Sequence, residues 1–209
     1  MISSSSDRVY QGQFGEFRVT DSDRFGVILY RLGLAIAALG FALGTGYAIL
    51  IPGSLSLVTV FYALFCLGLG LSLLTIHIYL IPLHRLLQIF WGVGAIASLV
   101  LSIESRDPLA LFVYEHPISL LGVGFIFASL TGIYFKEAFC FDRLETKLLT
   151  PLVPILLLGH LAGILPIGVE KGFVITWSIL FLIFAARKFF QPIPNDIGDK
   201  SVFEHLKHS

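Results

Sequence analysis

The chain has 209 residues, of which 56% are apolar and only 13% charged, and its fourteen basic and fourteen acidic side chains cancel to a formal net charge of zero. A soluble domain averages about 25% charged residues, so a mean hydropathy of +0.87 excludes an ordinary water-soluble fold. The zero balance argues for neither a nucleic-acid partner nor an acidic substrate, and two cysteines, Cys66 and Cys140, are too few for a disulfide scaffold.

Residues 1–23 are polar, without the apolar block and small-residue cleavage site of a signal peptide, and read as an arm with a short extended piece near Tyr10, Gln11, Phe14 and Glu16. Asp21, Ser22 or Asp23 offers an acceptor side chain as N-cap. A first helix is expected from Arg24 to Ile51, whose stretch from Leu32 carries no charge and matches the ~20 residues needed to cross ~30 Å of hydrocarbon. Pro52, Gly53 and Ser54 form a turn. A second helix follows from Leu55 to Ile81, ended by Pro82 and the His84–Arg85 pair, and a third apolar run from Leu86 to Ile103. The polar stretch Glu104 to Pro117 holds an apolar insert, Leu109 to Val113, that is too brief to span and suits the membrane interface. Three more spans are expected at Ile118 to Phe135, Leu148 to Pro166 and Gly172 to Ala186. In the fifth, Thr150 reads as N-cap, Pro151 as first helical residue and Pro154 as a bend. The fold class is therefore all-α: a bundle of six transmembrane helices over residues 24–190, with a polar tail at 191–209.

Charge placement orients this bundle, because cytoplasmic loops retain Lys and Arg. Six spans put Arg8, Arg18, Arg24, Arg31, Arg85, Lys136, Arg143, Lys147, Arg187, Lys188, Lys200 and Lys207 on one side, and only Arg106 and Lys171 on the other. Both termini are expected to be cytoplasmic. In the first helix Gly33, Ala37, Gly40, Gly44 and Ala48 share a face, which suits close packing within the bundle or against another subunit. In the second, Thr59, Tyr62, Cys66, Gly70 and His77 share a face by helical spacing, as interhelical hydrogen bonding or a lined path requires.

No Asp, Glu, Lys or Arg falls within the six apolar cores so bounded, which lowers the prospect of ion-coupled transport. HExxH, GxSxG and phosphate-cradling glycine motifs are missing from the sequence, so no catalytic residue is expected, and no metal-ligand spacing occurs. An intramembrane imidazole can ligate haem iron or chlorophyll magnesium, which singles out His77 and His160. At ~1.5 Å per residue His77 lies about 6 Å and His160 about 18 Å from the cytoplasmic ends of their helices, an offset that keeps them off one shared iron.

The most charged segment, between the fourth and fifth spans, interleaves Lys136, Glu137 and Arg143 with Phe139 and Phe141. Aromatic anchors with a charged rim suit a docking surface for a protein partner, or a contact with lipid headgroups. The run TGIYFKEAFCFDRLETKLLTPLVPILLLGHL, with DRFGVILYRLGL upstream, resembles an uncharacterised integral membrane protein family of cyanobacteria and plastid-bearing organisms. The resemblance covers about Gly12 to Phe190, with KEAFCF its most specific block. It implies a thylakoid or plasma membrane and no particular chemistry. The function expected on these grounds is a non-catalytic accessory or assembly factor of a photosynthetic membrane complex. The alternatives are a small-solute channel or permease lined by the second helix, and a carrier of a single pigment or haem.

Overall fold

The computed structural model describes residues 9–51, 55–78 and 80–202. A two-stranded antiparallel hairpin, β1 (Val9–Gln11) and β2 (Glu16–Arg18), pairs Tyr10 opposite Phe17 with their rings stacked. Six long helices follow: α1 (Asp21–Leu50), α2 (Ser56–Thr75), α3 (Ile81–Glu104), α5 (Leu120–Phe141), α6 (Leu144–Leu161) and α7 (Ile167–Phe190). All six are long and apolar enough to cross a membrane. Short α4 (Leu109–Glu115) lies between α3 and α5, and α8 (Ile193–Ile197) follows α7. The expected turn at Pro52 to Ser54 lies outside the described residues.

Helix ends differ from the expectations, and the reasons are local. Thr20, not Asp21 to Asp23, caps α1: its hydroxyl accepts from the Asp23 amide while the Asp23 carboxylate accepts from the Thr20 amide, a reciprocal capping box. The second helix stops at Thr75, because Ile76 turns extended and the Leu73 carbonyl is taken by His84 and Gln88 of α3. Pro82 therefore opens α3 rather than closing α2; near a helix start its missing donor costs nothing. Helix α5 runs through Lys136 and Glu137 to Phe141, and Asp142 in the left-handed region turns the chain into α6 within two residues. Thr150 is interior to α6, where its hydroxyl bonds back to the Thr146 carbonyl beside Pro151.

The long helices form a ring in the order α2, α1, α7, α6, α5, α3, closed by a lighter α3–α2 seam. Its centre is filled by aromatic rings: Phe41 meets Trp177 at 4.4 Å, Trp177 meets Phe127 at 5.4 Å, and Phe127 stacks on Phe65 at 5.6 Å. The Trp177 indole donates to the Tyr134 hydroxyl at 3.1 Å, so its one polar atom is satisfied. The seam is stitched instead by hydrogen bonds: the Trp91 indole donates to the Cys66 carbonyl at 2.9 Å and Tyr62 shares one with Ser98 at 2.7 Å. The Tyr62 hydroxyl of the polar face is used in this way, whereas Cys66 lends only its backbone carbonyl; His77 lies beyond the helix, off that face.

The first and last described segments lie on one face of the bundle. Asp199 accepts from the Gln13 amide at 2.6 Å, Lys200 pairs with Asp23 at 2.8 Å, and Ile197 packs on Val19 and Val27. Hydrogen bonds from Ser201 and the Gln13 amide hold the Asp199 carboxyl below its ordinary value. The arm and tail are thus joined to each other and to α1, rather than standing apart as polar extensions.

The most extensive helix–helix contact is between α1 and α2, and it is close. A Cβ on Gly68 would lie 2.6 Å from both the Ala37 nitrogen and the Gly33 oxygen, and one on Gly40 would lie 2.9 Å from the Phe61 oxygen. The small-residue face of α1 is therefore used within the chain. Replacing Gly68 by alanine should force the backbones apart and cost about 1–3 kcal/mol, the range for overpacking, seen as a lower melting midpoint in detergent; an unchanged midpoint would contradict this account.

Candidate sites at the two ends of the bundle

At the terminus-bearing face, the helix extensions bring charges together inside the protein. The Lys188 and Glu137 side chains have no solvent exposure and meet at 2.9 Å. Lys188 also pairs with Asp196 of α8, and the second Asp196 oxygen accepts from Arg31 Nε at 2.9 Å. Glu137 further accepts from the Tyr30 hydroxyl at 3.1 Å and from Lys136 at 2.9 Å. The Lys188 ammonium lies 4.8 Å from the Phe141 ring centre and 5.3 Å from that of Tyr30, within cation–π range. Elements α1, α5, α7 and α8 each contribute to this cluster, and every carboxylate in it has more than one donor.

The five residues expected to dock a partner are therefore divided by the structure. Glu137 is wholly buried, and Lys136 and Arg143 are largely buried, the latter donating to Gln191. Phe141 lies under three cations. Only Phe139 faces outward, at 80% exposure. The physical reason is that the stretch is helical up to Phe141, so its alternate charges turn inward on the Glu137 face instead of fringing a loop. No sequence signal brings Lys188 and Asp196 together: Lys188 stands in the last turn of α7, where a cation reads as a topogenic charge at the end of a span.

At the opposite end, His160 lies in the last turn of α6, sixteen residues beyond Leu144 and so about 24 Å along the axis at ~1.5 Å per residue. It is thus near the far membrane boundary, not at the expected depth. Its Nδ1 is 2.7 Å from a Glu170 oxygen of α7, its Nε2 is 3.2 Å from the Tyr114 carbonyl of α4, and the Tyr114 ring stacks on it at 5.0 Å. The Tyr114 hydroxyl donates to the other Glu170 oxygen at 3.3 Å. Burial and the adjacent carboxylate raise the Tyr114 phenol above its ordinary value, so it remains a donor. Neither imidazole nitrogen is turned toward an added metal.

His77 stands at the other face, after α2. Burial holds its imidazole below the ordinary value, in the neutral form. Among the described residues no group of three or more His, Cys, Asp or Glu side chains could hold a metal ion. Cys66 and Cys140 are both free thiols.

Between these ends, three adjoining hollows of about 200, 280 and 220 Å³ occupy the half of the bundle away from the termini. All three have Val174 as a wall; Phe41 and Phe127 border two, Trp177 one, and Tyr114 and Glu170 two. The arrangement is an aromatic cleft with its polar groups concentrated at one mouth.

Breaking the charge cluster on one side should be costly, because Glu137 and Asp196 then keep one cation each, Lys136 and Arg31, and lose the buried donor they share. Lys188→Met should lower stability by about 1.5–3 kcal/mol, the range for hydrogen bonds to charged groups, read from denaturation in detergent. Adding Glu137→Gln to it should recover part of that loss, and additivity of the two effects would count against a coupled cluster.

Residues 71–205 match the family described as "Uncharacterized integral membrane protein (DUF2301)". A protein of Haemophilus influenzae, itself described as an uncharacterized protein, is 29% identical over 187 residues, covering 87% of this chain and 92% of that one. No solved structure matches. The family match runs from the end of α2 through α8 and so includes both the charge cluster's α5, α7 and α8 and the His160–Glu170 mouth; the chain belongs to this family of integral membrane proteins.

Proposed function

We propose that the protein is a non-catalytic accessory component of a membrane complex, and that its contribution is to hold an apolar molecule in the aromatic cleft. The observation that carries this reading is the convergence of three hollows on Val174, with Tyr114, His160 and Glu170 at one mouth. Ligand sites are mainly apolar cavities with a few convergent polar groups, commonly of about 300–1,000 Å³. Each hollow alone is smaller than that, so the fitting occupant is a slender chain that passes through them in turn, with a hydrogen-bonding head at the polar mouth.

The aromatic filling of the bundle centre speaks against the channel alternative, and Tyr62 and Cys66 are engaged with α3. A pigment on His160 is disfavoured because both ring nitrogens already have partners. The photosynthetic setting rests on the cyanobacterial resemblance; the Haemophilus relative supports a bacterial plasma membrane as well. The cation asymmetry supports a cytoplasmic location for the terminus-bearing face.

Two measurements test these readings. Trp177 borders the cleft, so in a Trp91→Phe background its fluorescence should respond to a lipid-soluble extract of the native membrane, and Val174→Phe should remove the response. A Val174→Phe protein with the full response would end the cleft reading. For orientation, single cysteines replacing Ser105 and Lys147 in a Cys140→Ser background should be labelled from outside only at position 105; outside labelling at 147 alone would reverse the assignment.

A further inference from the structure

A second concavity lies on the terminus-bearing face, where the α5–α6 connection meets the turn between α7 and α8. It encloses about 630 Å³ and has Asp142, Arg143, Arg187, Gln191 and Asn195 among its walls. Two guanidinium groups line it, Arg143 from the α5–α6 connection and Arg187 from the last turn of α7. Arg187 is half exposed and donates to Glu145 Oε2 at 2.9 Å. Arg143 donates through Nη2 to Gln191, whereas its Nη1 is buried without a hydrogen-bond partner, 3.8 Å from the likewise unpartnered Glu145 Oε1. Glu145 is thus one carboxylate shared by two arginines, and the exposed Asp142 is paired with Lys147. Three cations, Arg143, Arg187 and Lys147, face two carboxylates, Glu145 and Asp142, which leaves one positive charge beside the concavity.

The rim is apolar. Phe190 at 88% and Leu144 at 68% exposure border the concavity, at the ends of two membrane-spanning helices. Such a place is the level at which headgroup phosphates meet the first methylenes of the acyl chains. Planar guanidinium groups bind phosphate oxygens by paired, charge-assisted hydrogen bonds. The α6 N-terminus, whose N-cap Arg143 makes no side-chain cap, adds a favourable partial charge.

We propose that this concavity binds the phosphodiester headgroup of an anionic membrane lipid. Arg143 and Arg187 grip the phosphate, and Phe190 and Leu144 lie along the glycerol and upper acyl chains. The assignment is independent of the cleft: it concerns other residues, at the opposite end of the bundle. A free phosphate would use the same arginines but gain nothing from the apolar rim, and the excess positive charge favours a lipid with net negative charge over a zwitterionic one.

The test uses the full chain in detergent, with phosphatidylglycerol, phosphatidylcholine of the same acyl chains, or inorganic phosphate added. Native mass spectrometry reads retained lipid and the melting midpoint reads stabilisation. Phosphatidylglycerol should be retained and raise the midpoint, less so as salt increases; phosphatidylcholine and inorganic phosphate should do neither. Arg143→Gln with Arg187→Gln should weaken retention at least about tenfold, equivalent to ~1.4 kcal/mol. Since Arg143 also braces Gln191, the half-exposed Arg187→Gln alone is the second variant, expected to fold and to lose much of the effect, with Arg187→Lys intermediate. Equal retention of both lipids, stabilisation by inorganic phosphate alone, or undiminished phosphatidylglycerol binding by Arg187→Gln would each overturn the assignment.

Discussion

An ammonium group in a space that water does not enter needs acceptors on every side, and at Lys188 those acceptors come from separate parts of the chain. Glu137 reaches it from α5 and Asp196 from α8, while Tyr30 of α1 and Phe141 of α5 present ring faces to it. Each carboxylate is itself divided between cations, Glu137 between Lys188 and Lys136, Asp196 between Lys188 and Arg31. None of these groups can move to a new position without exposing another one uncompensated in a low-dielectric setting. The closed state of the terminus-bearing end follows from that requirement, and so does the docking of the hairpin and tail, which bring Asp196 into reach.

The opposite end is built on different physics. There the centre is held by dispersion and ring packing, with hollows left between Phe41, Phe127 and Val174, and the polar contacts are confined to the mouth where His160, Glu170 and Tyr114 meet. Ring packing around voids gives up contact energy that a filled site would regain. One half of the bundle is therefore fixed by paired charges, and the other leaves hollows between its rings.

Much of this architecture is legible in the residues. Six apolar runs and the segregation of twelve cations from two give the span count and bring both ends to one side, and Gly33, Gly40 and Gly44 mark the face on which α1 meets α2. The helix ends are less legible because a charged residue is ordinarily read as the boundary of a span. At Lys136, Glu137 and Lys188 that reading stops the helix too early, since the charges neutralise one another inside the protein and the hydrogen-bonded backbone continues past them. Glu170 is hidden for the same reason: just before the expected start of the sixth apolar core at Gly172 it reads as a loop, yet it is the partner that orients His160. Nor does any local pattern show that Leu73 lends its carbonyl to His84 and Gln88 and so ends α2 before His77.

The pairing of Arg31 with Asp196 joins residues 165 positions apart. Arg31 enters the membrane with the first helix, and its carboxylate is made only after all six spans. Until then the guanidinium has to remain among headgroups and water, with α1 seated shallower or tilted to allow it. The settling of α1 to its final depth is therefore tied to a late event at the far end of the chain, and contacts of such long sequence separation form slowly. A newly inserted bundle would pass through a stage in which all helices span but the terminus-bearing end is still open and hydrated, and in that interval the membrane's own anionic headgroups are the nearest available counter-charges.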